Sequence, residues 1–447
     1  MNFEVDNQTL KDLEIFDTVK DGKSVFSLYD FTQCQGGRKK LYKFLANPLT
    51  DRSAISERKD AILFFQTHLP GGLDIDKDAL DFTEFYLRDI YHPTRLPSKT
   101  VAFERIIMDK LSSGKEYYIV EKGVRSTINL LKNIHQFSQI LAKKLKSTEN
   151  PPALLVKNKE EIERLFSKTE YQEIWTLSKL KAYDIARLDY MFRNTNKTDI
   201  YSFVNLIYEY DAYFSIAKAA EKYNFGYPEA VAAEGNLLEI KELFHPFVDN
   251  AIANDVRFDG SSNILFISGP NMAGKSTFLK SLGIAVYVAH TGLPVPARAM
   301  KFSVLSGLCT TINISDNLSS GYSHFYAEVM RIKNVAERLK ANNNMMVIFD
   351  ELFRGTNVKD AYDGTLAIVN AFAHIRSSFF VISTHIVEVA KELQVNKNIN
   401  FSYFDILEEG GHPRYTYKLK EGVSDVRLGM YIIRKEGVID LIEKIKA

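Results

Sequence analysis

The sequence predicts a mostly α-helical domain over residues 1–232 followed by an α/β domain over residues 233–447. Three observations predict it. From about Asp30 to Val231, apolar residues recur at helical spacing, as in Val204, Ile207, Tyr208, Phe214 and Ala217, with charged residues such as Glu209 and Lys218 between or beside them. Beyond about Gly235 the pattern becomes strand, helix, strand, helix, as in a parallel sheet covered by helices. Within that second half, Gly269-Pro-Asn-Met-Ala-Gly-Lys-Ser-Thr277 lies between an apolar strand-like stretch, Asn263 to Ser268, and a helix-like one beginning near Thr277. A chain of 447 residues is also too long for one typical core, so two domains are the default expectation.

In the helical half, Asn47-Pro48, Pro70-Gly71-Gly72, His92-Pro93 and Asn150-Pro151-Pro152 mark the bends. Neither an internal repeat nor a low-complexity segment interrupts it. Lys143-Lys144-Leu145-Lys146 is locally basic and reads as a solvated helix face or as a nucleic-acid patch. The net charge of +1 gives no whole-chain field that would advertise nucleic acid, so any such surface is local. Cys34 and Cys309, the two cysteines, are far apart and lack metal-ligand spacing, as reduced structural thiols do. The N-terminus has no basic region followed by an apolar one, and no stretch approaches transmembrane length. The expectation is a cytoplasmic protein with no membrane partner.

The run at Gly269 fits G-x-x-x-x-G-K-[ST], the phosphate-binding loop. Gly269 and Gly274 let the backbone turn so that the N–H groups of Gly269, Pro270, Asn271, Met272, Ala273, Gly274, Lys275, Ser276 and Thr277, proline excepted, are available to phosphates. The following helix adds the partial positive charge of its N-terminus. Lys275 supplies a point charge for the outer phosphates of ATP, and the Ser276 hydroxyl a magnesium ligand. Met345-Met-Val-Ile-Phe349 is a continuously apolar run ending in Asp350-Glu351, as expected of a buried parallel strand delivering acids at its carboxyl end. Asp350 is the candidate for holding magnesium and Glu351 for polarising the attacking water. A third strand, Phe379–Ser383, runs into Thr384-His385 and brings His385 to the same edge, either to hydrogen-bond a terminal phosphate or as a surface histidine. Phe401–Glu408 and Arg414–Lys420 alternate around Gly410-Gly411 as a β-hairpin.

Gly269–Thr277 with its Asn271-Met272 pair, Asp350-Glu-Leu-Phe-Arg-Gly-Thr356, Asp363-Gly364 and Ser383-Thr-His385 together resemble the ATPase domain of the MutS DNA mismatch-repair family, a branch of the ABC-type ATPases. The likeness extends over essentially the whole chain: Gly37-Arg38 through Leu45, Asn47-Pro48-Leu49 and Arg58-Lys59-Asp60 resemble the start of that family's helical core. Asp211–Ala217 resembles the return of its lever, and His245-Pro246 the start of its ATPase domain. The resemblance implies an ABC-type P-loop ATPase domain preceded by a helical core/lever domain. It also implies Mg2+-dependent ATP hydrolysis with Glu351 and His385 as catalytic residues, and Ser276 and Asp350 at the metal.

Asp316–Glu328 is similar to the family's signature segment, which reaches the nucleotide of the opposite subunit. The resemblance thus implies a homodimer through the ATPase domains, with Ser323 as the contact in trans. The implied partners are DNA that is mismatched, branched or distorted, and repair proteins. Departures qualify this. The core-like residues begin within the first forty positions and the family-like ending at Arg427-Leu-Gly-Met is followed by few residues, so the expectation is a short form without the mismatch-binding and connector domains and without an added dimerisation or nuclease module. The triplet Phe82-Thr83-Glu84 matches the family's wedge but falls in a helical region, where it reads as a core aromatic beside a solvated acid. Ala251–Asn254 stands where an aromatic near the adenine is usual; Tyr417 is the alternative stacking residue, or an ordinary strand tyrosine. Ala273 replaces a common glycine, which is tolerated if its φ stays negative. Two other functions fit the same residues: an ATPase acting on ribosomes or RNA, and a scaffold that binds ATP to assemble with a separate mismatch-reading subunit.

Overall fold

The computed structural model describes residues 2–16, 22–72, 76–88, 115–176, 179–232, 236–270, 272–312, 324–409, 412–424, 435 and 437–445. The chain forms two compact units, one of Tyr29–Ala46 and Asp60–Ala219, the other of Met1–Leu28, Asn47–Lys59 and Ala220–Ala447. The second unit therefore takes in Met1–Leu28 and Asn47–Lys59, and its last segment starts at Ala220, before the boundary read at residue 232.

Among its described residues the first unit is entirely helical. Helices end at Ala46 and His68, each directly before the residue that precedes a proline, because that residue is pushed out of the α region. The helix Lys77–Arg88 starts where the Asp76 carboxylate accepts the Ala79 N–H at 2.9 Å, satisfying one of the donors that a helix start leaves open. Apolar faces meet in an aromatic core: the Phe65 ring lies 4.6 Å from Phe214 and 5.4 Å from Tyr210, and Phe166 stacks on Phe203 at 4.5 Å. Each such side chain contributes about 1.5–3 kcal/mol through burial. The Phe82-Thr83-Glu84 triplet sits inside helix Lys77–Arg88, with Thr83 buried and the Phe82 ring under the Lys122 ammonium at 4.3 Å. One feature of this core left no mark on the apolar spacing. Arg193, in a π-helical turn at Met191–Thr195, is buried against Asp189 at 2.7 Å, and Tyr86 donates to the same carboxylate at 2.6 Å.

The second unit holds two sheets. Its strands are β1 (Glu4–Val5), β2 (Pro228–Val231), β3 (Leu238–Leu243), β4 (Asn254–Phe258), β5 (Ile264–Ser268), β6 (Ala299–Ser303), β7 (Gly307–Thr311), β8 (Met345–Asp350), β9 (Phe379–Thr384), β10 (Ile399–Glu409) and β11 (His412–Glu421). The seven-stranded sheet has the order β1-β7-β8-β9-β5-β10-β11 and is parallel except for the β10–β11 hairpin. β5, β8 and β9 are buried along their whole length, which explains their unbroken apolar runs. The smaller sheet, β2-β6-β3-β4, has no counterpart in the sequence reading.

Chain-start residues complete the larger sheet. β1 pairs with β7, and the buried Asp12 carboxylate accepts from Thr310 Oγ1 at 2.8 Å and from the Ile312 N–H at 2.9 Å. Asp6 and Glu4 pair with Arg331 and Arg338 on the helix His324–Ala341. Cys309 is buried in β7 and Cys34 half-buried; burial pushes both thiols up to about 12, which suits inert structural cysteines. No helix among the described residues is long and apolar enough to cross a membrane.

His290 ends the helix Lys275–His290 inside this core. Its Nε2 accepts the Leu305 N–H at 2.9 Å, so the ring is neutral and Nδ1–H donates to the Val286 carbonyl at 2.7 Å. Burial pushes the imidazole down to about 4. Between that value and the ordinary one near 6.5, the unfolded chain holds the proton and the folded chain does not. Stability from this group is therefore intact above about pH 6.5 and lost as pH falls toward about 4. Urea unfolding from about pH 7 to about pH 5 should lose roughly 2 kcal/mol through His290, and His290→Gln should remove that part of the slope. An unchanged slope in the variant would contradict the neutral buried ring.

Candidate active site

Sheet order builds the site. β5 lies beside β9, and β9 beside β8, in registers that align Ser268 with Thr384 and Asp350 with Ser383. The chain leaves all three strands at one edge, where ligands of parallel sheets gather. After Ser268 the backbone turns through Gly269 at φ +143°, Met272 at +68° and Gly274 at +103°. Glycine is required at +143° and favoured at +103°, and Ala273 is not among the left-handed residues. Gly274 caps the helix, which begins at Lys275 rather than near Thr277, so Lys275, Ser276 and Thr277 form its first turn. The earlier start follows from this glycine: its left-handed backbone ends the loop and presents the helix N–H groups with no side-chain cap to occupy them.

Lys275 is buried, and its ammonium donates to the Gly269 carbonyl at 2.8 Å and the Pro270 carbonyl at 3.0 Å, folding back over the loop. Burial lowers its pKa, while Glu351, with Oε1 3.8 Å from Nζ, and Asp350 oppose that shift. Ser276 Oγ donates to Asp350 Oδ2 at 2.5 Å, and Ser383 Oγ donates to Oδ1 at 2.6 Å. The Asp350 carboxylate, buried itself, is thus held by two hydroxyls from different elements, with one hydroxyl, Ser276, on an exposed residue of the loop.

Glu351 follows with φ +62°. Its carboxylate lies 3.0 Å from Arg354 Nε and 3.7 Å from His385 Nδ1. His385 contributes most to holding this carboxyl below the ordinary range; burial works against it, and Arg354 and Lys275 add to the lowering. His385 stands half-exposed at the end of β9. Glu328, on helix His324–Ala341, accepts the Arg354 N–H at 3.0 Å and fixes the turn from below. Arg354, Ser383 and Glu328 had no assigned role in the sequence. Spacing of three and four residues from Glu351 and Asp350 was the available signal for Arg354; the pairing of Ser383 and Glu328 needs the sheet order.

A cavity of about 520 Å³ opens beside the loop, lined by Lys275, Ser276, Thr277 and Glu351 at one side and by His245, Ile252, Phe404 and Tyr417 among others. That size and mixed lining fit a small-molecule ligand. Tyr417, half-exposed with φ +54°, lies over the loop: a Cβ at Gly274 would be 3.1 Å from its Cδ1. Ala251 and Ile252 line the same cavity without an aromatic ring. Pro270 and the exposed Met272 complete the described part of the loop. Asn271 and Ser323 lie outside the described residues.

Comparison with known families matches residues 265–445 to MutS domain V and residues 8–223 to MutS domain III. The chain belongs to the MutS family. It is 25% identical to the DNA mismatch repair protein MutS of Petrotoga mobilis over 532 aligned positions, which cover 99% of this chain and 64% of that protein. It is 30% identical to MutS of Persephonella marina and 28% identical to MutS of Fusobacterium nucleatum, over 52% and 54% of this chain and 27% of each relative. The chain therefore spans less than two thirds of the length of these MutS relatives. The loop, Asp350, Glu351 and His385 all fall within the stretch matched to MutS domain V.

In this MutS-family chain the buried ammonium of Lys275 is a poor stabiliser of the fold. Its desolvation is offset by carbonyls and one carboxylate at 3.8 Å, and Arg354 and His385 also serve that carboxylate. Lys275→Met should leave unfolding free energy unchanged or raise it by about 1–2 kcal/mol, measured in denaturant without nucleotide, and should abolish binding of an ATP analogue. A stability loss above about 2 kcal/mol would mark the ammonium as structural.

Proposed function

We propose that this chain is a Mg2+-dependent ATPase of the MutS type, which couples its nucleotide state to a grip on mismatched, branched or distorted DNA. The observation that carries the reading is the convergence of Lys275, Ser276, Asp350 and Glu351 on one edge of the parallel sheet, beside a left-handed glycine loop and a cavity of about 520 Å³. The donor set suits the ligand: Ser276 Oγ and Asp350 Oδ2, joined by a hydrogen bond of 2.5 Å, are two hard oxygens side by side, the kind of ligand a hard divalent cation takes. Bound magnesium would neutralise phosphate charge and orient the terminal phosphoryl group.

The chain's own groups do the rest. Loop N–H groups and Lys275 bind the phosphates, and the N-terminus of the helix Lys275–His290 favours their charge. Glu351 is the base: its pKa is held low, so the carboxylate is ionised at neutral pH and ready to accept a hydrogen bond from the attacking water. His385 sits beside Glu351 to contact the terminal phosphate and register its departure. Tyr417 covers the loop as the stacking residue for adenine, and a second copy of the chain supplies Ser323 in trans. In this reading the helices Lys115–Lys146 and Lys197–Tyr223 would serve as the levers; the longer spans about 48 Å at 1.5 Å per residue.

The test uses wild type and Glu351→Gln with competing duplex, mismatched duplex, four-way junction and structured RNA at fixed salt. Wild type should hydrolyse ATP, and the variant should bind an ATP analogue normally while losing about 10²-fold or more in kcat. ATP should change affinity for the mismatched or branched DNA more than for plain duplex or RNA. Hydrolysis by the variant at the parent rate removes Glu351 from the role of base, and a preference for RNA removes DNA as the substrate.

A further inference from the structure

The turn that carries the base is strained twice. Glu351 and Phe353 both have φ +62°, a region that residues with a side chain rarely enter. Such conformations persist only where their surroundings over-determine them. Glu351 is held through its N–H, which donates to the Ser383 carbonyl at 3.1 Å. Phe353 is held by packing. Its ring is buried, lies 5.5 Å from the Phe325 ring, and rests on the bare backbone of Gly364, where an added Cβ would come within 2.8 Å of it.

Two residues on, Gly355 approaches the start of the helix His324–Ala341 closely: a Cβ there would meet Cβ of His324 at 2.6 Å and the Phe325 nitrogen at 2.7 Å. Glu328 takes the N–H of Arg354 at 3.0 Å and of Gly355 at 3.4 Å. Hence the turn 351–355 is docked on the first residues of the helix His324–Ala341 by an aromatic pair, two N–H bonds and Gly355, whose missing side chain lets it approach, while Gly364 on the helix Val358–Ala373 leaves room for the Phe353 ring. Arg354, whose direction this docking sets, is the group 3.0 Å from the Glu351 carboxylate.

We propose that Phe353 is a positioning residue for Glu351: wedged between Phe325 and Gly364, its ring fixes the left-handed turn, so that alignment of the base depends on where the helix His324–Ala341 begins. The proposal rests on the reading of Glu351 as the base in ATP hydrolysis. Because the phosphate loop and Lys275 lie outside the wedge, disturbing it should change turnover and spare nucleotide affinity.

Three variants test this by steady-state ATP hydrolysis and by binding of a fluorescent non-cleavable ATP analogue, which also reports that each variant is folded. Phe353→Ala and Gly364→Ala should each lower kcat by about ten- to a hundredfold, the effect of small misplacements near a reacting centre, with KM and analogue affinity within about twofold. The double variant F353A/G364A should be no slower than F353A, since the methyl group at 364 then meets no ring. Multiplicative losses in the double variant, a KM that rises as kcat falls, or an unchanged kcat in F353A would overturn the proposal. Should wild type hydrolyse nothing, or Glu351→Gln run at the parent rate, the ATPase reading itself fails; a dead Glu351→Gln beside a fully active F353A defeats the wedge alone.

Discussion

The buried carboxylate of Asp350 is the constraint on which the rest of the site depends. Taking an ionised carboxylate out of water is costly unless hydrogen bonds replace the lost hydration. Here Ser383 supplies one from the neighbouring strand at 2.6 Å and Ser276 the other from the loop at 2.5 Å. That requirement fixes β8 beside β9 and brings the loop after β5 to the same edge. Asp350 therefore ties the loop after β5 to Glu351, the one held by a side-chain bond and the other by the next peptide.

The charges around Glu351 extend the same arrangement. Arg354, Lys275 and His385 approach one carboxylate from three elements, and the group stays ionised despite substantial burial. Lys275, conversely, is desolvated and partnered mainly by carbonyls. A site that holds an under-compensated cation and four left-handed non-glycine residues, Met272, Glu351, Phe353 and Tyr417, each costing about 1–3 kcal/mol, concentrates local strain at this edge of the sheet.

Much of this was legible in the sequence because it depends on local pattern. The loop after β5, the acids at the end of β8, His385 after β9 and the β10–β11 hairpin each combine an apolar run with punctuation that only a few geometries satisfy. What the sequence did not disclose depends on pairing between distant segments. β1 is two residues long, too short to leave an alternation, and its place follows from pairing with β7 about 300 positions on. Ser383, Arg354 and Glu328 are polar residues in ordinary surroundings until the sheet order and the turn at Glu351 bring the first two to the carboxylates and the third to the N–H groups of the turn. The smaller sheet pairs β2, β6, β3 and β4 out of chain order, and no local signal specifies that. The buried Asp189–Arg193 pair was missed for a similar reason: charge at helical spacing reads as a solvated face until its surroundings are known.

The most direct measurement of the central claim is calorimetric titration of the purified chain with a non-cleavable ATP analogue, with and without magnesium, followed by sedimentation of the saturated protein. Binding that strengthens with magnesium, is lost in Asp350→Asn, and shifts the protein from monomer to dimer is the predicted result. No binding, or binding indifferent to both magnesium and Asp350→Asn, would contradict a nucleotide site organised around that carboxylate.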